Sequence, residues 1–175
     1  MPRVKYADLL KRLEECDAFH VSVVKALVGD YAKVMVHKLH KKGKIVRLMK
    51  GWYTFKKTPY VLWIPLMGYV GLGHAASYWG LWNQACAITV LTPRKVREGE
   101  RFVGGEKVIV KRVKPYMLFG FAVVEMEGVK VRMSDREKTL VDLAYFGHPC
   151  LDEVAEVARE LAGKEKVKEY VEELR

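Results

Sequence analysis

"KKGKIVRLMKGWYTF", residues 41–55, is the stretch that decides the fold. A basic run leads into the segment 44–49, which has strand propensity, and Lys50-Gly51 predicts a tight turn. The aromatic residues beyond that turn predict a return strand. Two apolar residues of the first strand, Ile45 and Leu48, are three apart rather than two, which predicts a bulge. The stretch is therefore predicted to form a basic hairpin.

Three amphipathic helices are predicted before this hairpin. Apolar residues recur there at helical spacing, and Ser22 and Asp30 are placed to cap the second and third helices. The predicted helices cover 4–16, 22–27 and 31–41. The inward stripe of the third helix is predicted to consist of Ala32, Met35, Val36 and Leu39. Three helices followed by a basic hairpin are the element order of a winged helix-turn-helix.

The rest of the chain predicts strands and helices in mixed order. The apolar segment 60–73 is interrupted by proline and glycine and is shorter than the ~20 residues of a membrane-spanning helix. A charged loop is predicted over 92–107, and Glu127-Gly128 predicts a hairpin turn. We predict an α+β fold with two domains: a winged helix-turn-helix at 1–57 and a mixed α/β C-terminal domain at 58–175.

Positive charge is concentrated in the predicted N-terminal domain. The net charge is +10, and residues 1–57 contain fourteen Lys and Arg against five Asp and Glu. Residues 58–175 contain seventeen against sixteen. Such an imbalance favours a polyanionic partner, and we expect double-stranded DNA. The predicted DNA-binding residues are Lys33, His37, Lys38, Lys41, Lys42, Arg47 and Lys50.

The aromatic residues after the turn have a different predicted role. Tyr53 and Phe55 lie on one face of the return strand, so we expect them to pack beneath the helices. Trp52 could face either DNA or the second domain.

A second basic cluster is a further candidate nucleic-acid patch. It could follow phosphates beyond the hairpin, contact RNA, or be a solvated loop, and the sequence leaves these alternatives open. An RNA-binding module that uses both basic regions is therefore an alternative function. The second basic cluster consists of Arg94, Lys95, Arg97, Arg101, Lys111 and Arg112.

A metal-dependent nuclease centred on "MSDREKTL" is a weaker alternative. Asp135, Glu137 and Lys138, with Glu125, would have to hold a metal ion and position a base. A capping box, Ser134-x-x-Glu137, explains the same residues as the start of a helix. No phosphate-binding loop or nucleophile motif is present. We therefore expect a binding protein without cofactor or metal rather than an enzyme.

The three cysteines are far apart, and no secretory signal is evident, which predicts a reducing, cytoplasmic location.

Several segments together resemble one family, the AbiEi-type antitoxins, which are transcriptional regulators of type IV toxin–antitoxin and phage-defence loci. "LHKKGKIVRLMKGWYTF" is similar to the end of the family's recognition helix and its wing. "YVGLGHAASYWGL" is similar to a helix of the family's second domain. "GFAVVEMEGVKVRMSDREKTLVDLAYF" resembles its hairpin and following helix. The resemblance covers roughly residues 18–146.

This resemblance implies a function and a set of partners. The winged helix would bind inverted repeats in the promoter of its own operon and repress it, with self-association on the DNA. The functional partner would be a nucleotidyltransferase toxin, without a required stable complex. The resemblance also implies DNA contacts from the third helix and the hairpin turn, and a structural role for residues 137–142.

Overall fold

Residues 6–57 fold into three helices and a small antiparallel sheet, in a computed structural model that describes residues 6–162 and 164–174. The predicted start of the first helix, at residue 4, lies outside the described residues. A 3-10 turn, Gly29–Tyr31, joins the second helix to the third. The elements are α1 (Tyr6–Glu15), β1 (Phe19–His20), α2 (Val21–Val28), α3 (Ala32–Lys41), β2 (Val46–Met49) and β3 (Trp52–Thr54).

The inward stripe predicted for α3 is confirmed, since all four residues are at most 4% exposed. They pack with Leu9 and Leu13 of α1, and Tyr53 and Phe55 close the same core, as predicted. Burial of this stripe fixes the rotation of α3, so its polar face points away from the core.

The caps predicted for α2 and α3 are wrong. Ser22 lies inside α2, and its N–H donates to the His20 ring at 3.3 Å, so His20 is the N-cap. No side chain caps α3. Asp30 instead pairs with Lys25 at 3.4 Å on the surface. Both errors arise because the chain enters each helix at a different residue from the one expected.

The small sheet has the order β1-β3-β2, with antiparallel neighbours. The predicted bulge is confirmed, because Arg47 pairs with Tyr53 and Met49 with Trp52, which leaves Leu48 as an extra residue. Gly51 completes the turn with a φ of +80°, a conformation that favours glycine.

Residues 58–162 and 164–174 form a mixed sheet of six strands and five further helices. The strand order is β6-β7-β5-β4-β9-β8, in which β5–β7 and β4–β9 are parallel pairs and the other neighbours are antiparallel. The elements are α4 (Trp63–Leu66), β4 (Tyr69–Gly71), α5 (Leu72–Tyr78), β5 (Ile88–Thr92), β6 (Gly99–Val103), β7 (Glu106–Arg112), β8 (Phe121–Met126), β9 (Val129–Ser134), α6 (Arg136–Tyr145), α7 (Ala155–Ala162) and α8 (Glu165–Glu172).

The charged loop predicted over 92–107 is partly wrong, because it contains the edge strand β6. This strand pairs with β7 from Gly99↔Val110 to Val103↔Glu106. The hairpin turn predicted at Glu127-Gly128 is confirmed, and both residues have positive φ.

The apolar segment 60–73 is largely buried within this second region. It forms a 3-10 helix (Pro59–Leu62), α4 and β4. Within the described residues, no helix combines the length and the apolar character needed to cross a membrane.

The two central strands of the six-stranded sheet, β5 and β4, are buried on both faces. Val70, Val90 and Val131 point into a core that includes the 3-10 helix. Tyr69 and Leu91 point to the other side, where they pack against residues of α5, α6 and α7. A chain of this length can support such a layered arrangement.

The N-terminal unit is attached to the first of these faces. Leu48, the bulged residue, is 6% exposed and belongs to the same buried cluster as Tyr60 and Val103. Trp52 packs against this cluster too, so it faces the second region. The predicted boundary after residue 57 falls in residues 56–58, which have no helix or strand.

The start of α6 differs from the predicted capping box. The N-cap is Asp135, whose carboxylate accepts the Lys138 N–H at 2.8 Å. Ser134 instead ends β9 and hydrogen-bonds the Thr139 hydroxyl at 2.8 Å. Glu137 pairs with Lys166 of α8 at 3.3 Å.

Candidate nucleic-acid interface

A groove separates α3 from the turn between β2 and β3. We call it the basic groove; its volume is about 360 Å³. Its helix side comes from α3, whose inward stripe fixes the rotation of the helix. Its other side comes from the turn, which Gly51 closes. The lining residues are Val21, Lys33, Val36, His37, His40, Arg47, Lys50, Gly51 and Tyr53.

The groove brings together four of the seven predicted DNA-binding residues. Lys33 and His37 are one helical turn apart on α3, and Arg47 and Lys50 come from the opposite side. His37, Arg47 and Lys50 are separated by up to thirteen positions in the sequence. Their convergence depends on how the hairpin packs beside α3.

The other three predicted residues do not line the groove. The Lys38 ammonium lies 3.4 Å from the Tyr31 hydroxyl and 5.7 Å from the centre of its ring, on another side of α3. Lys41 and Lys42 are exposed at the C-terminal end of α3.

The groove has an unbalanced positive charge. No carboxylate is among its lining residues. Within residues 6–162 and 164–174, Lys33, Arg47 and Lys50 take part in no ion pair. These three cations are therefore available to an anion from outside the protein.

His40 is a groove residue that the sequence did not predict. Its ring Nδ1 lies 3.1 Å from the Ile45 carbonyl oxygen, and its ring packs edge-on against Tyr53. These contacts hold the end of α3 against the first strand of the hairpin. Its spacing of seven from Lys33, two helical turns, is the signal that could have placed it on this face.

The second basic cluster is not part of this groove. Most of its cations lie near the ends of β5 and β7, where Thr92 pairs with Arg112, whereas Arg101 lies on β6 opposite Val108. The β6–β7 turn at the opposite end is the part that approaches the N-terminal unit, since a Cβ added at Gly104 would lie 3.0 Å from the Lys57 carbonyl oxygen. Because β7 has seven residues, roughly 20 Å separate the two ends.

Several cations of this cluster already contact the protein itself. Arg94 donates to the Pro65 carbonyl oxygen at 2.5 Å, and Arg101 donates to the Arg97 carbonyl oxygen at 2.9 Å. Lys111 lies 5.2 Å from the centre of the Phe146 ring. Lys95, Arg97 and Arg112 have exposed side chains.

The residues considered for a nuclease are placed for structural roles. Lys138 is fully buried and forms an ion pair with Asp142, and its ammonium also lies 3.1 Å from the Tyr69 hydroxyl. The Tyr69 hydroxyl donates to Asp142 at 2.9 Å. Glu125 lies exposed on the edge strand β8. In the described part of the chain, no group of three or more potential metal ligands is found.

Burial dominates the ionisation of this network. It raises the pKa of Asp142 to about 6, although the Lys138 ammonium and the Tyr69 hydroxyl favour the carboxylate. Burial and the Asp142 carboxylate raise the pKa of Tyr69 well above its ordinary value. The network links α6 to β4 and is inaccessible to a substrate.

A comparison with models of known protein families found no match, and a search of curated proteins found none either. The resemblance to the AbiEi-type antitoxins therefore stays a prediction.

Proposed function

We propose that this protein is a DNA-binding transcriptional regulator whose residues 1–57 form a winged helix-turn-helix. In this proposal α2 and α3 are the helix-turn-helix, β2 and β3 form the wing, and α3 enters the major groove. The element order and the three-stranded sheet support the assignment. An α-helix with its side chains is about 10–12 Å wide, which fits a major groove of about 12 Å.

The observation that carries the proposal is the basic groove. Lys33, Arg47 and Lys50 converge on one concave surface that has no carboxylate in its lining. On DNA they would neutralise phosphates and release counterions. His37, on the exposed face of α3, would be the side chain placed to reach base edges.

The regulatory role is proposed from the resemblance. The protein would bind inverted repeats in its own promoter, with two copies on the DNA, and act as autorepressor and antitoxin of an AbiE-like type IV locus. A nucleotidyltransferase toxin would be its functional partner, without a required stable complex. Occupancy of the promoter is the mechanism, and it requires no cofactor.

Fluorescence anisotropy with the duplex from immediately upstream of the gene tests the DNA-binding role. We expect binding that weakens steeply with salt, and tighter binding to this duplex than to a shuffled duplex of equal length. A structured RNA of the same length is the comparison probe. Tighter binding to the RNA would contradict the proposal and favour the RNA-binding alternative.

The antitoxin role has a separate test. Where the adjacent gene encodes a nucleotidyltransferase, growth would be measured in cells that express that gene with and without this protein. We expect this protein to rescue growth, and failure to rescue would contradict the antitoxin role while leaving the DNA-binding role intact.

A further inference from the structure

A second cavity lies far from the basic groove, among the last three helices of the chain. It has a volume of about 280 Å³ and an almost entirely apolar lining. Leu140 and Val141 come from α6, Ala158 comes from α7, and Val167 and Val171 come from α8. This volume is close to the lower end of the range for small-molecule sites, roughly 300–1,000 Å³.

A basic cavity of about 210 Å³ adjoins the apolar one. Tyr145, the last residue of α6, lines both cavities, so the two lie next to each other at this residue. Arg112 and Lys114 line the basic cavity together with Glu98. Among the described residues, the side chains of Arg112 and Lys114 form no ion pair.

The charge balance of the basic cavity favours an anion. Arg112 and Lys114 provide two positive charges. Against them stand Glu98, which accepts the Arg112 backbone N–H at 2.5 Å, and the end of α6, which carries about half a negative charge. A guanidinium and an ammonium together are suited to a carboxylate.

Both parts of this site are open to solvent. Tyr145 is 47% exposed and Val171 is 42% exposed, so the apolar cavity can be reached from outside. The volume of about 280 Å³ suits a small molecule. An apolar cavity next to a cationic one matches a ligand with an apolar body and an anionic head.

We propose that this composite cavity binds a small monocarboxylate with an apolar chain or ring. The carboxylate lies against Arg112 and Lys114, the apolar body occupies the cavity between α6, α7 and α8, and Tyr145 lies at the junction. This site is independent of the basic groove, and its occupancy can be measured without DNA.

Isothermal titration calorimetry of the full chain with octanoate and octan-1-ol tests the proposal. The two probes have equal chain length and differ in the charged head. We expect octanoate to bind at least about tenfold more tightly, as the effect of one charge-assisted hydrogen bond. Equal affinities, or no binding of octanoate at millimolar concentration, would overturn the proposal.

Two variants separate the two parts of the cavity. Arg112→Ala with Lys114→Ala should weaken octanoate binding about tenfold and leave octan-1-ol binding unchanged. Val171→Asp puts a negative charge at the open side of the apolar cavity and should weaken octanoate binding to a similar extent. Because Val171 is exposed, this variant should keep the wild-type melting temperature. Lys130→Ala, an exposed residue on β9, is the control, and unchanged octanoate affinity in both test variants would overturn the proposal.

Discussion

In the basic groove Lys33, Arg47 and Lys50 form no ion pair among the described residues, whereas several cations of the second region contact the protein itself. Arg94 and Arg101 donate to backbone carbonyls of their own region. Lys138 is the extreme case, since it is completely buried against Asp142. The two regions contain similar numbers of Lys and Arg, fourteen and seventeen, so charge count alone does not distinguish a binding surface from a structural one.

This difference predicts that removing the groove cations weakens binding. It also predicts that disrupting the contacts of the second region's paired cations lowers the free energy of unfolding. Four variants test it.

Asp142→Asn should have the largest effect, and it should act on stability. The substitution leaves the Lys138 ammonium buried without its counter-ion, so the free energy of unfolding should fall by about 3–5 kcal/mol. Urea denaturation at neutral pH measures this change. Glu100→Gln is the control, since it breaks an exposed ion pair with Lys107 and should cost less than about 1 kcal/mol. Equal losses of unfolding free energy in Asp142→Asn and Glu100→Gln would contradict the predicted difference between the buried and the exposed ion pair.

The triple variant Lys33→Ala, Arg47→Ala, Lys50→Ala should have the next largest effect, and it should act on DNA binding. Each phosphate contact contributes a salt slope of about −0.9, so affinity should fall by about two to three orders of magnitude at about 0.1 M salt. Its unfolding free energy should stay within about 1 kcal/mol of wild type, since the three side chains are exposed.

The matched control removes the same charge from the second basic cluster. Lys95→Ala, Arg97→Ala, Arg112→Ala should change affinity less than about threefold, because these residues lie near the ends of β5 and β7, away from the proposed contact surface. A similar loss in both triple variants would mean that the binding depends on net charge rather than on the groove.

His37→Ala should have a smaller effect that is confined to the specific duplex. A side chain that contacts a base edge contributes about 1–3 kcal/mol of discrimination, so the preference over the shuffled duplex should fall about tenfold. Competition anisotropy with the two duplexes measures this ratio. His37→Gln retains a hydrogen-bond donor and should restore part of the preference. An unchanged ratio would place base readout elsewhere.

Lys38→Ala should have the smallest effect, less than about threefold on affinity, because Lys38 is directed towards Tyr31 and away from the groove. Lys33→Ala, five residues earlier on the same helix, is the comparison and should reduce the salt slope by about one. If Lys38→Ala caused the larger loss, a different face of α3 would meet the DNA.

The fold of the N-terminal unit could largely be predicted because its signals are local. The inward stripe of α3 follows from helical spacing, and the bulge at Leu48 follows from the spacing to Ile45. The helix caps could not be predicted as well, because a shift of one or two residues at a helix start changes which side chain faces the free N–H groups. His20 and Asp135 took the roles expected of Ser22 and Ser134.

The edge strand β6 was missed for a different reason. Its central residues carry charge, and Phe102 is 73% exposed, so the sequence lacks the buried alternation of a typical strand. The strand pairs with β7 across the two-residue turn Gly104-Gly105, and this glycine pair was the local hairpin signal that its charged composition obscured.

The sequence could predict most of the cations of the candidate site, but not how they are arranged in space. Net charge indicated the region, and helical spacing indicated the outward face of α3. Which cations converge depends on the packing of the hairpin against α3, to which His40 contributes through Ile45 and Tyr53. Trp52, which the sequence left undecided, is oriented by the core of the second region.

If the protein binds an inverted repeat as proposed, the burial of Leu48 in the core beneath the six-stranded sheet has a consequence for the spacing of the repeats. A DNA-binding domain on a flexible linker can bind half-sites at many separations, because the linker adjusts its conformation to the spacing. Here the strand that carries Arg47 is anchored in the body of the protein through the very next residue. Two copies on one inverted repeat would therefore tolerate few changes in half-site spacing, and inserting half a helical turn of DNA between the repeats should disrupt their joint binding.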